Sequence, residues 1–481
     1  MNSIYDISLD RSSNQHLYIQ LYNEIKKLIV DKELNPHHKL PPIRKLSEFL
    51  NVNNVTVVNA YKLLEQENFV YKKIGSGTFV NKIIPNSMMD MESNQDIKKN
   101  NEDIIDFASA TPTPDLFPVS DFKLVMNEVL DRDKGDAFGY QESQGYLPLR
   151  KSIMEYISNY NIHTRLENIH IVSGAQQGID IISKSLIDYG DIVFIESPTY
   201  TGAIGTFKSR AARIIEIPML EDGIDIQTLE NKLKTFKPKF IYVMPNFQNP
   251  TGFSYSLEKK QQLLKLANEY DIYIVEDDYL SDLSFYSNEN TTLKSMDKND
   301  KVIYIKSFSK IFMPGLRLAF VVIPISLTRE FIAAKHISDI STSSLIQRAF
   351  DLYLKKGIWQ KHINYMENIY KKRFEIMSEG LKKYMPKALN LYNPMGGLNF
   401  WISLPHGFSA DVLYEISIHE NITFVPGSYF FLNKRDDNHF RLSIASVYAD
   451  EIYKGIEKMS TVIKKYLSEQ IYVRDEQTPL L

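Results

Sequence analysis

The chain has 481 residues, 43% hydrophobic and 24% charged, with a net charge of −3 and no cysteine. That length predicts two or three domains of an ordinary globular protein, and the missing cysteine excludes disulfides, thiolate metal sites and cysteine nucleophiles. No apolar run approaches the roughly 20 residues of a membrane span, and Met1 to Asp10 holds no apolar signal segment, so a cytoplasmic location without a membrane partner is expected.

Residues 1–82 carry 11 basic and 8 acidic side chains, so a mildly basic head precedes an acidic body. This balance permits nucleic-acid contact without demanding it. Leu17, Leu21, Ile25, Leu28 and Ile29 recur at helical spacing, and Asn35-Pro36 ends that helix. Pro41-Pro42 opens a second, short helix with Leu46, Phe49 and Leu50 apolar. Asn51-Val52-Asn53-Asn54 reads as a tight turn with an asparagine available as N-cap. A third helix runs through Val55, Val58, Tyr61, Leu63 and Leu64. Two strand-like pieces, Phe69-Val70-Tyr71 and Thr78-Phe79-Val80, flank the turn Ile74-Gly75-Ser76-Gly77.

Residues 83–104 are polar and lack a period, which predicts a linker. Beyond it, Ile169-Val172, Ile192-Ile195, Phe240-Val243, Ile272-Val275, Val302-Ile305 and Leu318-Ile323 are strand-like and alternate with amphipathic helices. That alternation predicts an α/β body, 105–470, around a mainly parallel sheet. A helical region after Ser326 and strands near Leu398-Ile402 and Phe440-Ile444 predict a smaller α+β lobe, with 471–481 as a tail. No internal repeat is visible.

Three helices and a hairpin make up a winged helix-turn-helix. Thr56, Asn59 and Lys62 lie at helical spacing on the third helix, Arg44-Lys45 starts the second, and Lys72 and Lys73 flank the hairpin turn, placed to meet bases and phosphates. Leu17-Tyr18-Ile19-Gln20-Leu21, Lys39 to Leu46, Val52 to Tyr61 and Gly75 to Val80 together resemble the GntR-family winged helix. The resemblance implies double-stranded DNA as partner, contacted by Arg44, Thr56 and the wing glycines Gly75 and Gly77. Asn53-Asn54 stands where that family usually has Ser-Arg, so one basic contact is missing; an asparagine can still bond a phosphate or an adenine edge.

In the body the sharpest constellation is Ser307-Phe308-Ser309-Lys310, with Arg317 after it and Asp277-Asp278-Tyr279 before it. A lysine amine beside hydroxyl and guanidinium donors suits a phosphate-bearing aldehyde cofactor, and Asp277 at a strand end suits a protonated ring nitrogen. Ser173-Gly174-Ala175-Gln176 follows a strand and opens a helix, so the amides of Ala175 and Gln176 can hold phosphate. Asn249-Pro250-Thr251-Gly252 is a turn that places an amide, Pro198-Thr199-Tyr200 offers a ring for stacking, and Arg441 could grip a carboxylate. Taken singly, each is an ordinary loop, cap, turn or salt-bridge residue. In this order they resemble a fold-type I, class I aminotransferase from about Asp106 to about Tyr466.

That resemblance implies pyridoxal 5'-phosphate (PLP) carried by Lys310, with Asp277 on the ring nitrogen and Asn249 and Tyr279 on the ring hydroxyl. Tyr140 resembles the tyrosine that reaches the neighbouring subunit's phosphate, so a dimer is implied. Only Asp278 separates Asp277 from Tyr279, a shorter spacing than in many class I enzymes. A GntR-like head on such a body resembles the MocR subfamily of transcription regulators. The subfamily implies a head-to-tail homodimer and an amino compound, or PLP itself, as effector. A cytosolic PLP-dependent aminotransferase with an accessory head is the alternative. The intact wing and recognition helix, which a metabolic enzyme does not use, favour the regulator. No metal site is expected.

Overall fold

In a computed structural model the described residues are 17–30, 38–66, 69–73, 77–80 and 103–475, with 4, 7, 9, 11, 33 and 34 and without 284, 287–290, 393 and 434–437. The expected linker lies outside them except for its last two residues. The chain divides into two compact units, Met1–Asp90 and Met91–Leu481.

The head consists of α1 (Leu17–Val30), α2 (Ile43–Phe49), α3 (Asn54–Gln66) and the hairpin β1 (Val70–Lys73) and β2 (Gly77–Val80). The hairpin is antiparallel, in register from Val70 opposite Val80 to Lys73 opposite Gly77. Residues 38–40 extend it, because the Leu40 amide donates to the Thr78 carbonyl and the Val80 amide to that of His38. Leu21, Ile25 and Ile29 of α1 pack on Leu46, on Val57, Ala60, Tyr61 and Leu64 of α3, and on Val70 and Val80. The buried Tyr61 hydroxyl donates to the Pro41 carbonyl at 2.8 Å, as a buried hydroxyl must find an acceptor. Asn53 is the N-cap of α3, its Oδ1 accepting from the Val55 amide at 2.9 Å. Asn54 Oδ1 accepts from the Ser47 hydroxyl at 2.6 Å, which ties α2 to α3 at their turn.

In the body, after the short β3 (Ile105–Asp106), eight strands form the main sheet: β4 (Ile169–Val172), β5 (Ile192–Ser197), β6 (Arg213–Leu220), β7 (Gly223–Ile224), β8 (Phe240–Val243), β9 (Tyr273–Asp278), β10 (Val302–Ser307) and β11 (Ala319–Val322). Their order is β4-β11-β10-β9-β8-β5-β6-β7. From β10 to β6 every pairing is parallel, and β11 runs antiparallel between β10 and β4. Every residue of β4, β8, β10 and β11 is buried. A sheet covered on both faces requires this, and it explains why β8 and β11 read as unbroken apolar runs. Helices Ile226–Leu233 and Leu257–Glu269 cover one face, through Leu229, Leu233, Leu263 and Ala267 against Phe194, Ile241 and Val243. Helix Ala175–Leu186 packs against β10 and β11.

The smaller lobe holds β12 (Asn390–Leu391), β13 (Asn399–Ser403), β14 (Ile422–Thr423), β15 (Val425–Pro426) and β16 (His439–Ser443). Its four-stranded sheet has the order β12-β13-β16-β15, while β14 pairs with β3. The long helices Ile358–Tyr384 and Ala449–Asp475 pack on each other, the second running past residue 470. Among the described residues no helix is long and apolar enough to cross a membrane.

Candidate cofactor site and nucleic-acid face

The chain leaves β10 at Ser307 and turns through Lys310, and aromatic packing fixes that turn. Phe308 lies 4.7 Å from Phe350 and 5.3 Å from Trp359, and Phe312 lies 5.3 Å from Tyr353, ring centre to ring centre. His362 Nε2 donates to the Ile311 carbonyl at 2.8 Å, and the Tyr370 hydroxyl to that of Lys310 at 3.5 Å. Phe308, Ile311 and Phe312 are thus buried anchors around a half-buried Lys310. Ser307 Oγ accepts from the Ser309 amide at 3.3 Å, keeping both hydroxyl residues in one tight turn.

Strand register brings the aspartates alongside. Ile305 lies opposite Asp277 and Lys306 opposite Asp278. Successive strand residues face opposite sides of a sheet, so the two aspartates enter different surroundings. Asp277 is buried, and its Oδ2 accepts from the Tyr242 hydroxyl at 2.5 Å. Its Oδ1 is buried and accepts no hydrogen bond. Burial pushes the Asp277 carboxyl up to about 6, against the downward pull of the Tyr242 bond. Asp278 is equally buried, but the Lys306 ammonium at 3.2 Å, the hydroxyls of Ser281 and Tyr304 and the Ser281 amide hold it below the usual carboxylate range. Lys306 also meets Asp282 at 2.5 Å. The residue that shortens the spacing between Asp277 and Tyr279 is therefore the acid of a buried ion-pair network.

At the other side, β4 leads into Ser173-Gly174 and a helix begins at Ala175. Gly174 has φ +96°, and a Cβ there would sit 2.3 Å from Arg317 Nη2. Arg317 itself has φ +52°, and its Nη2 donates to the Ser173 carbonyl at 3.0 Å. Ser173, Gly174, Ala175 and Arg317 form one cluster, at a helix start whose first amides have no partner within the helix. Gln176 Oε1 accepts from the Tyr200 hydroxyl at 3.1 Å, and its Nε2 donates to Thr206 Oγ1 and the Gly202 carbonyl.

Arg441 lies within β16 opposite Trp401 and Val425, and is fully buried. Its Nη1 donates to Asn249 Oδ1 at 2.8 Å and its Nη2 to the Ala108 carbonyl at 2.6 Å, with Phe430 against the guanidinium. The structure thus joins Arg441 to Asn249. Tyr279 is buried, donates to the Phe247 carbonyl at 2.5 Å and accepts from Asn399 Nδ2 at 3.1 Å. Tyr140 stands apart and is 86% exposed.

Tyr242 and Asn399 escaped the sequence reading. Tyr242 left a signal, being a hydroxyl within the apolar strand Phe240 to Val243 that had to meet a buried acceptor. Asn399 left none, since its partner Tyr279 is 120 residues away.

On the head, Arg44, Lys45 and Lys62 are exposed, while Thr56 and Asn59 are half-buried. The side-chain oxygens of Asn53 and Asn54 are taken by Val55 and Ser47. Each of these oxygens keeps a second lone pair, so both side chains retain an acceptor beside their donating amide nitrogens. Gly77 has φ +121° and sits opposite Lys73. The side chains of Lys72 and Lys73, and all of Gly75, lie outside the described residues.

Comparison with known proteins adds two family matches. Residues 102–459 match the aminotransferase class I and II family, and residues 17–80 match the gntR family of bacterial regulatory proteins. A 2-aminoadipate transaminase of Thermus thermophilus is 34% identical over 76% of this chain and 91% of its own length. A probable rhizopine catabolism regulatory protein, MocR, of Rhizobium meliloti is 26% identical over 94% of both chains. Among solved structures, a kynurenine aminotransferase of Pyrococcus horikoshii in complex with PMP superposes with a TM-score of 0.74 at 31% identity, over 80% of this chain and 98% of that one.

Proposed function

The chain belongs to the class I and II aminotransferase family and carries a gntR-family head, the MocR arrangement, and from that premise we propose how it works as a PLP-dependent transcription regulator. The observation that carries the regulator reading is the gntR-type head, with its own core and an exposed α3, in one chain with a cofactor constellation. The transaminase relative aligns to 76% of the chain, whereas the MocR relative aligns to 94%.

The residues fit PLP on a specific point. Asp277 Oδ1 is buried without a donor, and an unsatisfied buried carboxylate oxygen is costly. A protonated pyridine nitrogen is a donor of the right kind. When bound, PLP supplies an aldehyde that captures primary amines and a ring that withdraws electrons. Lys310 holds the cofactor covalently, Asp277 keeps the proton on the ring nitrogen, and Asn249 and Tyr279 serve the ring hydroxyl. Ser307, Ser309, Arg317 and the amides of Ala175 and Gln176 hold the phosphate, and Tyr200 covers the ring. Arg441, paired with Asn249, receives the carboxylate of an amino-compound effector. Tyr140, exposed in the single chain, completes the phosphate site of the second subunit in a head-to-tail dimer. On the head, Arg44, Asn53, Asn54, Thr56, Asn59 and Lys62 face DNA, and Lys72, Lys73, Gly75 and Gly77 bring the wing to its phosphates.

An effector alters DNA affinity only if it binds one arrangement of the dimer better than another. The test is a DNA titration of the full-length protein with and without PLP and candidate amines, beside borohydride trapping and peptide mapping. We expect PLP trapped on Lys310 and lost in Lys310→Ala, and DNA affinity that responds to one amine or to PLP. Trapping on another lysine overturns the cofactor assignment. Steady amine-to-ketoacid turnover with DNA affinity unmoved by any ligand would instead favour an aminotransferase with an accessory head.

A further inference from the structure

Helix α3 shows which of its side chains the core does not need. Val57, Ala60, Tyr61 and Leu64 are buried, the least so being 2% exposed. At about 100° per residue, the opposite face carries Val55, Asn59 and Lys62, with Val58 beside them. Val55 is 59% exposed and Val58 41%. Two branched apolar side chains one turn apart therefore stand in water on the helix that a winged helix-turn-helix lays in the major groove.

Polar groups share this face, Asn59 and the exposed Asn53 and Asn54 among them. The Asn53 and Asn54 oxygens are engaged within the head, and Thr56 is half-buried on the flank. Exposed cations stand on the same two helices, Lys62 on α3 and Arg44 and Lys45 on α2, where Glu48 is exposed as well. The exposed face of α3 thus sets two valines among Asn54, Asn59 and Lys62. The cations suit phosphates, and the valines suit the apolar feature that the major groove presents, the 5-methyl group of thymine. Against guanine or cytosine edges the same valines would bury donors and acceptors without pairing them.

Resting on the DNA-binding reading of the head, we infer that Val55 and Val58 are specificity determinants that contact thymine methyl groups. Three residues of helix rise about 4.5 Å, close to the roughly 3.4 Å between stacked bases on one strand. The two valines accordingly address neighbouring base pairs, and each operator half-site carries thymines at those positions.

The test uses the full-length protein. Duplexes enriched by it from a random pool supply the operator, and anisotropy titrations compare that operator with versions in which single thymidines become deoxyuridines. This exchange removes one methyl group and leaves the pairing edges intact. Loss of a buried methyl contact weakens binding about fourfold, and this is expected at two neighbouring positions per half-site. Val55→Ala and Val58→Ala should each abolish the thymidine preference at one of those positions and bind the matching deoxyuridine duplex as the parent does. Half-sites without thymine, or affinity indifferent to every thymidine exchange, overturn the inference while DNA binding stands. A valine variant that keeps the full thymidine preference overturns that residue's assignment. Absence of any duplex binding removes the reading beneath it as well.

Discussion

Asp277 owes its protonation to two opposing neighbours. Burial raises its carboxyl to about 6, and the Tyr242 hydrogen bond works the other way by favouring the anion. Burial holds the Tyr242 hydroxyl well above its usual 10, so it remains a donor at every working pH. The anion is the form that pairs with a protonated ring nitrogen. PLP affinity should therefore be full above the Asp277 pKa and begin to fall as pH drops below about 6. Tyr242→Phe removes the downward pull, so the onset of that fall should move to higher pH. Equilibrium dialysis of PLP between pH 5 and 8, on parent and variant, reads the shift directly. An onset that stays in place would show that Tyr242 does not tune Asp277.

The junction between β4 and the helix that starts at Ala175 turns on one residue without a side chain. Gly174 combines a positive φ with a position where any Cβ would press on the Arg317 guanidinium. Gly174→Ala should leave the sheet intact, because the strain is confined to the turn. It should displace Arg317 from Ser173 and cut PLP affinity at least about fivefold, given strain of the order of 1–3 kcal/mol at such positions. PLP titration followed by absorbance, with circular dichroism to verify the fold, measures both parts. Wild-type affinity in the variant would exclude this junction from phosphate binding. A parallel economy appears in the head, where Asn53 caps α3 and Asn54 fastens it to Ser47, so two residues that the sequence marks for DNA also hold the helix pair together.

At the scale of the whole chain, each unit brings a core of its own, Leu21 to Val80 in the head and the sheet cores in the body. Residues 1–82 alone should bind operator DNA at least tenfold more weakly than the full-length protein, since in the proposed dimer a linked second head supplies effective concentration that one head lacks. They should also ignore PLP and amines. The body from residue 105 should bind PLP without touching DNA. Anisotropy on DNA and absorbance on PLP, applied to both pieces, check this division. A head fragment as tight as the full chain would mean that dimerisation adds nothing to recognition.

The sequence by itself determined what depends on local order. Helical and strand periods marked the three head helices and the buried strands, and the succession of Ser307, Lys310 and Arg317 after Asp277 marked a PLP constellation that the aminotransferase match supports. Motifs of this kind sit on short stretches whose backbone dictates their geometry. Tertiary structure decided which side chains meet across long separations: Arg441 with Asn249, Tyr242 with Asp277, and Asn399 with Tyr279. It also decided which apolar residues of α3 face the core. Val55 and Val58 read as part of the same pattern as Tyr61 and Leu64, yet they stand outside. Periodicity gives the spacing of a helix face, but only the packing of α1, β1 and β2 against that helix selects the face that is buried, and with it the face left exposed.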